Sequence, residues 1–258
     1  MNPYIIEEHE GLLVFTINRE DKRNAISYEV MDGLEEAITI AGEKKIKAMM
    51  ITGAGEKAFC SGGDLSSFHE LKTAKEAYKM LKRMSNILVK ILLLPKPTIA
   101  VLNGTAVGGG CELASACDFR IARKGIKAGF IQGTLAITTG WGGGTIVSEK
   151  LAHAHAMKML MEAVPYKTDE LLQIGFIQST YEGDSITAGK LFLHKFMGIE
   201  TEVLSSYKQM FLRKLEQNRI EERIQAEVEQ CSILWGEEAH HKQVNKFLQK
   251  NKYEYRQK

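Results

Sequence analysis

Two glycine-rich loops carry the residues whose types and spacing are best suited to chemistry. The first spans residues 53–65 and ends in Gly62-Gly63-Asp64-Leu65; the second spans residues 103–114 and places Glu112 just after three consecutive glycines. The segment after those glycines is typical of a helix. The glycines therefore lie at a helix N-terminus, where free N–H groups and the helix dipole favour negative charge. Together the loops offer N–H donors for an oxyanion and a carboxyl group that can move a proton.

Nucleotide binding by the loops and metal binding by the cysteines and histidines are both less favoured. Glycine loops after strands are more often turns than sites, but two of them in one domain strengthen the site hypothesis. Neither loop continues as the Gly-Lys-Ser/Thr of a P-loop or has the spacing of a dinucleotide-binding loop. The four cysteines form no Cys-x-x-Cys pair, and the histidines at 153/155 and 240/241 do not share a helix face. No metal site is predicted.

Alternating strand and helix patterns must position these loops. Apolar runs at 12–17, 47–52, 98–102 and 119–122 predict strands. Apolar residues recurring every three or four positions predict a helix after Ser27, its N-cap, and a second helix that ends before Pro95. Strands alternating with helices imply an α/β fold. After Gly189 the strand signals vanish, so we predict a core over residues 1–190 and a helical oligomerisation segment over residues 191–258.

Composition limits the classes of partner and compartment. The chain has 258 residues, with 34 Lys and Arg against 32 Asp and Glu, a net charge of +2 that argues against a nucleic-acid platform. The longest apolar run, residues 87–94, is too short for a bilayer and contains Lys90. No secretory signal is recognised at the N-terminus, and the four cysteines are expected to be reduced thiols. We therefore predict a cytoplasmic protein that binds neither membrane nor nucleic acid.

Ordered motifs along nearly the whole chain resemble the crotonase superfamily, also called the enoyl-CoA hydratase/isomerase family. They lie at residues 18–25, 59–65, 96–100, 103–120, 141–145 and 247–250. The resemblance implies a spiral of ββα turns followed by a helical trimerisation region, in a homotrimer or a dimer of trimers. It also implies an acyl-CoA thioester substrate in fatty acid metabolism. Coenzyme A is then part of the substrate, and no metal or redox cofactor is needed.

The resemblance assigns roles to individual residues. The N–H groups of Gly63 and Gly109 would hold the thioester oxygen of an enolate, and Glu112 would be a catalytic carboxyl group. Phe247 and Lys250 of a neighbouring subunit would reach the adenine or phosphate end of the CoA, although Phe247 is equally suited to helix packing. The remaining predicted CoA contacts are Lys22, Asn24, Ala25, Ala58, Ser61, Gly62, Asp64 and Leu65.

The chain departs from the family pattern at Ile131, where a proline is usual, in the turn at residues 138–141, and, with the most consequence for chemistry, at Gln132. A typical hydratase of the family has a second glutamate 20 residues after the first, and here that position is Gln132. An amide cannot exchange a proton as a carboxyl group does. Gln132, counted here as a catalytic-site residue, therefore argues against hydration and isomerisation. It suits decarboxylation of a malonyl-type CoA, in which loss of carbon dioxide itself forms the enolate.

Two functions remain open within the lyases, enoyl-CoA hydration and malonyl-type decarboxylation. Residues 130–141 and 234–236 are similar to the ethylmalonyl-CoA decarboxylase branch, which also lacks the second glutamate. The alternative is an acyl-CoA-binding protein with little or no catalytic activity. Further proton donors cannot be placed from sequence; the candidates are Ser66, His69, Thr134 and Trp141.

Overall fold

The computed structural model describes the backbone of residues 2–256 and the side chains as far as residue 249. Within those residues the strands are β1 (Tyr4–His9), β2 (Leu12–Ile17), β3 (Ala48–Gly53), β4 (Ala58–Cys60), β5 (Thr98–Leu102), β6 (Thr105–Val107), β7 (Phe119–Arg123), β8 (Lys127–Gly129), β9 (Tyr166–Lys167) and β10 (Ser179–Tyr181). The helices are α1 (Tyr28–Ala41), α2 (Leu65–Phe68), α3 (Ala74–Leu93), α4 (Gly109–Ala116), α5 (Gly143–Lys150), α6 (His153–Glu162), α7 (Thr168–Gln173), α8 (Ser185–Met197), α9 (Thr201–Gln217), α10 (Ile220–Trp235) and α11 (Glu238–Arg256). Short 3₁₀ turns occupy Glu20–Lys22 and Gln132–Leu135.

The strands form two sheets joined as a spiral. The larger sheet has the order β1-β2-β3-β5-β7-β10, and the smaller has the order β4-β6-β8-β9. The spiral has three successive turns, formed by the strand pairs β3-β4, β5-β6 and β7-β8. In each pair the first strand belongs to the larger sheet and the second to the smaller, and the chain then enters a helical segment. Apart from the β1-β2 and β8-β9 pairs, neighbouring strands are parallel. The predicted α/β spiral of ββα turns is therefore confirmed.

Burial on both faces explains why the central strands read as continuous apolar runs. All six residues of β3 and all five of β5 are buried. Helix α3 buries the apolar stripe predicted from its spacing against α10, α1 and α4, and a capping box between Thr73 and Glu76 begins it. Ser27 is the N-cap of α1, as predicted, although its side chain makes no capping hydrogen bond.

The C-terminal helices follow the change of pattern near Gly189. Residue 190 falls inside α8, and Gly189 of that helix packs against Met50 and Val101 of the larger sheet. Helix α9 exposes large apolar side chains, including Phe211 at 71% exposure. The division at residue 190 and the trimer both stay predictions. In the described part of the chain, every helix is too short or too polar to cross a bilayer.

Candidate active site

The two glycine loops meet at one edge of the smaller sheet. Because β4 and β6 pair in parallel, the loops that follow them leave the sheet on the same side. They approach so closely that a Cβ atom built on Gly62 would lie 3.1 Å from the backbone nitrogen of Gly109. Gly62 also has φ +96°, a left-handed conformation that favours glycine. The fold thus brings together Gly63 and Gly109, which are 46 positions apart in the sequence.

The N–H groups of Gly63 and Gly109 are available to a ligand. Gly63 lies in a short bridge with Ile26, in which Ile26 N donates to Gly62 O and Asp64 N donates to Ile26 O. That pattern leaves the N–H of Gly63 outside the bridge, and Gly109 is the first residue of α4. No acceptor for either N–H is found among the described residues. Two free donors at one point suit an oxyanion.

The indole of Trp141 covers these glycines. A Cβ on Gly109 would lie 2.1 Å from Cζ3 of the indole, and one on Gly63 would lie 3.5 Å from Cζ2. Phe68 of α2 lies against Gly63 as well, with its nearest ring carbon 3.0 Å from such a Cβ. Only glycine at position 109 lets the aromatic ring pack directly on the main chain, so the glycine serves packing as well as access.

Glu112 is buried, 2% exposed, and its carboxylate accepts four N–H groups. Oε2 accepts from Trp141 N at 2.8 Å and Gly143 N at 2.9 Å. Oε1 accepts from Gln132 Nε2 at 2.9 Å and from Gly140 N at 3.4 Å. Helix α4 supplies the carboxyl group, and the chain entering α5 supplies three of its four partners.

Burial raises the pKa of Glu112 to about 7, and the negative charge of Glu227 acts in the same direction. The N–H groups of Gly143, Trp141 and Gly140 act against this rise. Glu227 reaches the same place from α10, where it accepts hydrogen bonds from Gly144 N at 3.2 Å and Thr145 N at 2.6 Å. The N-terminus of α5 therefore holds two carboxyl groups, and one of them can change its protonation near neutral pH.

Gln132 lies beside Glu112, as its position in the sequence predicted. It is 8% exposed, and Nε2 is the atom that donates to Glu112. Its Oε1 is buried and has no hydrogen-bond partner among the described residues. A buried acceptor without a partner is costly, so this oxygen is suited to a donor from a ligand or a water molecule.

Apart from Phe247 and Lys250 of α11, the predicted CoA-binding residues lie on two adjacent segments, residues 22–25 and 58–65. Residues 22–26 run beside residues 61–64, because Ser61 N donates to Arg23 O and Ile26 bridges Gly63. Lys22 is exposed, whereas Ala25 and Ala58 are buried. These positions line one strip of backbone next to the glycine loops, which is the arrangement that main-chain contacts to a CoA would need.

Two of these residues have structural tasks for their side chains. Asn24, at φ +55°, donates from Nδ2 to Ala54 O at 2.9 Å and to Ala58 O at 2.7 Å. Asp64 caps α2 through Ser66 N and forms an ion pair with Arg19 at 2.6 Å. Although burial opposes it, the hydrogen bonds from Ser66 and Arg19 hold the pKa of Asp64 below its usual value. Both side chains therefore fix the loops rather than face a ligand.

A cavity of about 130 Å³ opens beside Glu112 and the glycines. The predicted residues that line it are Ser61, Gly62, Gly63, Leu65, Gly109, Glu112, Gln132 and Phe247. Phe247 comes from α11 of the same chain, so no neighbouring subunit is needed to bring it to this cavity. Lys250 also belongs to α11, but its side chain lies outside the described residues.

The cavity also has walls beyond the predicted catalytic and CoA-binding residues. Of the further candidates, Thr134 and Trp141 line it, whereas Ser66 and His69 do not. Cys231 and Trp235 of α10 and His240 of α11 complete it. These three lie more than 110 positions beyond Glu112, and no short-range sequence pattern links them to it.

A second and larger cavity, of about 550 Å³, lies between α9 and the core. Asp118, Lys150, Lys208 and Phe211 are among its lining residues. None of the predicted site residues lines it, and its buried cations are already bonded: Lys150 to the carbonyl oxygens of Ser115 and Cys117, and Lys208 to Asp118. Volume is therefore a poorer guide to the active site here than the free N–H groups and Glu112.

Comparisons with known proteins find relatives over most of the chain. The chain matches the enoyl-CoA hydratase/isomerase family over residues 7–258. It is 35% identical over 183 residues to the short-chain-enoyl-CoA hydratase of Clostridium acetobutylicum, covering 70% of each chain. It is 30% identical over 237 residues to the ethylmalonyl-CoA decarboxylase of Mus musculus, covering 90% of this chain and 73% of the relative.

The fold is shared with solved structures of the same kind. The crystal structure of an enoyl-CoA hydratase/isomerase from Mycobacterium paratuberculosis superposes with a TM-score of 0.87 at 20% identity. The match covers 95% of this chain and 98% of that one. At that identity the likeness concerns the fold, which is the spiral described above. The family match over nearly the whole chain, together with the two sequence relatives, shows that the protein belongs to the enoyl-CoA hydratase/isomerase family, the crotonase superfamily.

Proposed function

We propose that the protein is an acyl-CoA lyase that decarboxylates a malonyl-type thioester through an enolate. The observation that carries the proposal is the contact between Gln132 and Glu112. Glu112 is the one carboxyl group among the described residues that line the cavity, and the second family position holds an amide bonded to it at 2.9 Å. One carboxyl group is enough for a reaction that must deliver a single proton.

The reaction begins with the thioester oxygen held by the N–H groups of Gly63 and Gly109. The bond between Cα and the carboxylate carbon breaks, carbon dioxide leaves, and the electron pair passes to the thioester oxygen as an enolate. Glu112 then gives one proton to Cα as the thioester carbonyl re-forms. Each oxyanion donor is expected to contribute about 3–4 kcal/mol to stabilising the enolate-like transition state.

The size of the cavity favours a short acyl group. Its volume of about 130 Å³ is bounded by bulky side chains, among them Phe68, Trp141 and Trp235. The names of the relatives are consistent with a short acyl group, since they comprise short-chain-enoyl-CoA hydratase, crotonyl-CoA hydratase and ethylmalonyl-CoA decarboxylases. Methylmalonyl-CoA and ethylmalonyl-CoA are therefore the first substrates to test.

Hydration of a short enoyl-CoA is the second candidate. It is favoured by the 35% identity with the short-chain-enoyl-CoA hydratase and by the unpartnered Oε1 of Gln132, which can accept a hydrogen bond from water. It is opposed by the single carboxyl group, because one group must activate the water and another must protonate Cα.

One set of assays separates these functions from simple binding. Purified protein is incubated with methylmalonyl-CoA, ethylmalonyl-CoA or crotonyl-CoA, and the thioester products are resolved by chromatography. We expect decarboxylation that falls at least a hundredfold in Glu112→Gln and is unchanged in Glu221→Gln, an exposed control on α10. Hydration without decarboxylation would favour the second candidate. Tight binding of butyryl-CoA without turnover of any thioester would indicate the acyl-CoA-binding alternative.

A further inference from the structure

The amide of Gln132 is held at one end only. Its Nε2 donates to Glu112 Oε1 at 2.9 Å, whereas its Oε1 is buried and has no partner among the described residues. The head of this side chain lies against the second glycine loop, since a Cβ built on Gly108 would be 4.0 Å from Gln132 Cδ. Half a turn about the last side-chain bond exchanges the nitrogen and oxygen of an amide at nearly the same positions. Within the described part of the chain, the contact with Glu112 is the one hydrogen bond of the Gln132 side chain that such a turn would change.

The contacts of Glu112 determine which of its oxygens takes up a proton. Oε2 accepts N–H groups from Trp141 at 2.8 Å and from Gly143 at 2.9 Å, which occupy both of its lone pairs. Oε1 has the 2.9 Å bond from Gln132 and only a long one, 3.4 Å, from Gly140 N. A proton taken up by Glu112 therefore binds Oε1, the oxygen that faces the amide of Gln132.

The present orientation of the amide suits only the ionised form of Glu112. A carboxylate oxygen accepts a hydrogen bond from Nε2, but the O–H of the acid needs an acceptor, and Nε2 has no free lone pair. After half a turn, the amide oxygen would stand in that place and accept from the O–H. Since the far end of the amide meets no partner among the described residues, the contact with Glu112 decides which end faces it.

We propose that Gln132 is a positioning residue that turns its amide when Glu112 changes between carboxylate and acid, and so keeps a hydrogen bond to Oε1 in both states. The proposal rests on the proposed function, in which Glu112 gives a proton to Cα in each turnover and regains one from solvent. In the acid, Oε1–H donates to the amide oxygen. Transfer of that proton to Cα leaves a carboxylate, to which Nε2 donates. The amide exchanges no proton itself, so it follows the acid without competing for its proton as a second glutamate would.

The surroundings make Glu112 the group that titrates at this place. Burial raises its pKa to about 7, and the negative charge of Glu227 on α10 acts in the same direction. Two thiols are close to it, Cys111 on α4 and Cys231 on α10, but burial raises their pKa and they stay protonated at neutral pH. His240 of α11 lines the same cavity, and burial lowers its pKa, so its ring is mostly neutral at that pH. Both forms of Glu112 are therefore populated near neutral pH.

Isotope-edited infrared difference spectroscopy tests the turn directly, with ¹³C at the side-chain carbonyl of glutamine. As the pH falls through about 7, we expect one labelled C=O band to move to lower wavenumber, because that oxygen passes from having no partner to accepting an O–H. The band should share its midpoint with the loss of the Glu112 carboxylate band. It should be missing from Gln132→Met, fail to titrate in Glu112→Gln, and persist in Gln173→Met, an exposed control on α7. A band that stays fixed or moves to higher wavenumber while Glu112 titrates would overturn the proposal, since an amide of constant orientation only loses the carboxylate at its nitrogen.

Turnover gives a second readout of the same contact. Methionine is similar to glutamine in length but has no N–H and only a weakly accepting sulphur. We expect Gln132→Met to lower kcat for methylmalonyl-CoA about tenfold and to leave KM within about twofold, because Glu112 loses the partner that fixes Oε1. A raised KM with unchanged kcat would show that the amide serves substrate binding instead, and would refute the positioning role. Absence of turnover by the wild type would refute the proposed function, and the infrared band would still decide whether the amide turns.

Discussion

Gln132→Glu restores a carboxyl group at the second family position and is the most informative single substitution. Gln132 Nε2 lies 2.9 Å from Glu112 Oε1, so the new carboxyl group would face an existing one at that distance. At 2.9 Å and an effective dielectric constant of about 20, two unit charges repel by about 6 kcal/mol, which corresponds to about 4 pKa units. The two groups therefore cannot both ionise at neutral pH, and the pair is expected to retain one proton.

This retained proton has a consequence for stability. A carboxyl group whose pKa is higher in the folded state than in the unfolded chain lowers the free energy of unfolding as the pH rises. With an unfolded value of about 4.3 and a rise of about 4, the variant should lose stability relative to wild type between about pH 4 and pH 8. Denaturant unfolding followed by circular dichroism across this range measures the difference. Gln173→Glu, the same change at an exposed position on α7, is the control.

The same variant tests the chemistry. A carboxyl pair that shares one proton supplies both a base for water and an acid for Cα, so crotonyl-CoA hydration should rise by about a hundredfold or more. The assay is the loss of the conjugated enoyl absorbance. If Gln132→Glu follows the wild type in both its stability profile and its hydration rate, the contact between residues 112 and 132 does not govern the reaction, and the reasoning fails.

Three further substitutions probe other parts of the molecule. Gly109→Ala would place a methyl group 2.1 Å from the Trp141 ring, so we expect about 1–3 kcal/mol lower stability in thermal unfolding and a loss of turnover; wild-type values for both would contradict the packing described. Glu227→Gln removes a charge that raises the pKa of Glu112 but keeps an acceptor for Gly144 and Thr145, so the ionisation of Glu112 seen by infrared difference spectroscopy should move to lower pH, and an unmoved midpoint would exclude the coupling. Phe211→Asp places a charge on the exposed apolar face of α9 and should dissociate the predicted trimer in sedimentation velocity, whereas an unchanged mass would show that this face is not the interface.

Much of the fold follows from local patterns. The runs at 12–17 and 98–102 became β2 and β5, because strands covered on both faces are largely apolar. The run at 119–122 became β7, which carries the buried Arg120 among its apolar residues. The stripe on α3 is periodic because one face of a helix meets the core. Short strands such as β4, β6 and β8 were missed or merged with loops, since three residues carry too little periodicity to be recognised.

The residue types by themselves determined the chemistry available to this protein: glycines that leave N–H groups free, one glutamate, and an amide where a second acid is expected. Tertiary structure decided what these groups meet. The parallel pairing of β4 and β6 sets Gly63 beside Gly109, and the chain entering α5 encloses Glu112 with N–H donors and, through burial, raises its pKa. Only the folding of α10 and α11 over the cavity brings His240 to the same space, because that contact joins segments more than a hundred residues apart and no local pattern encodes it.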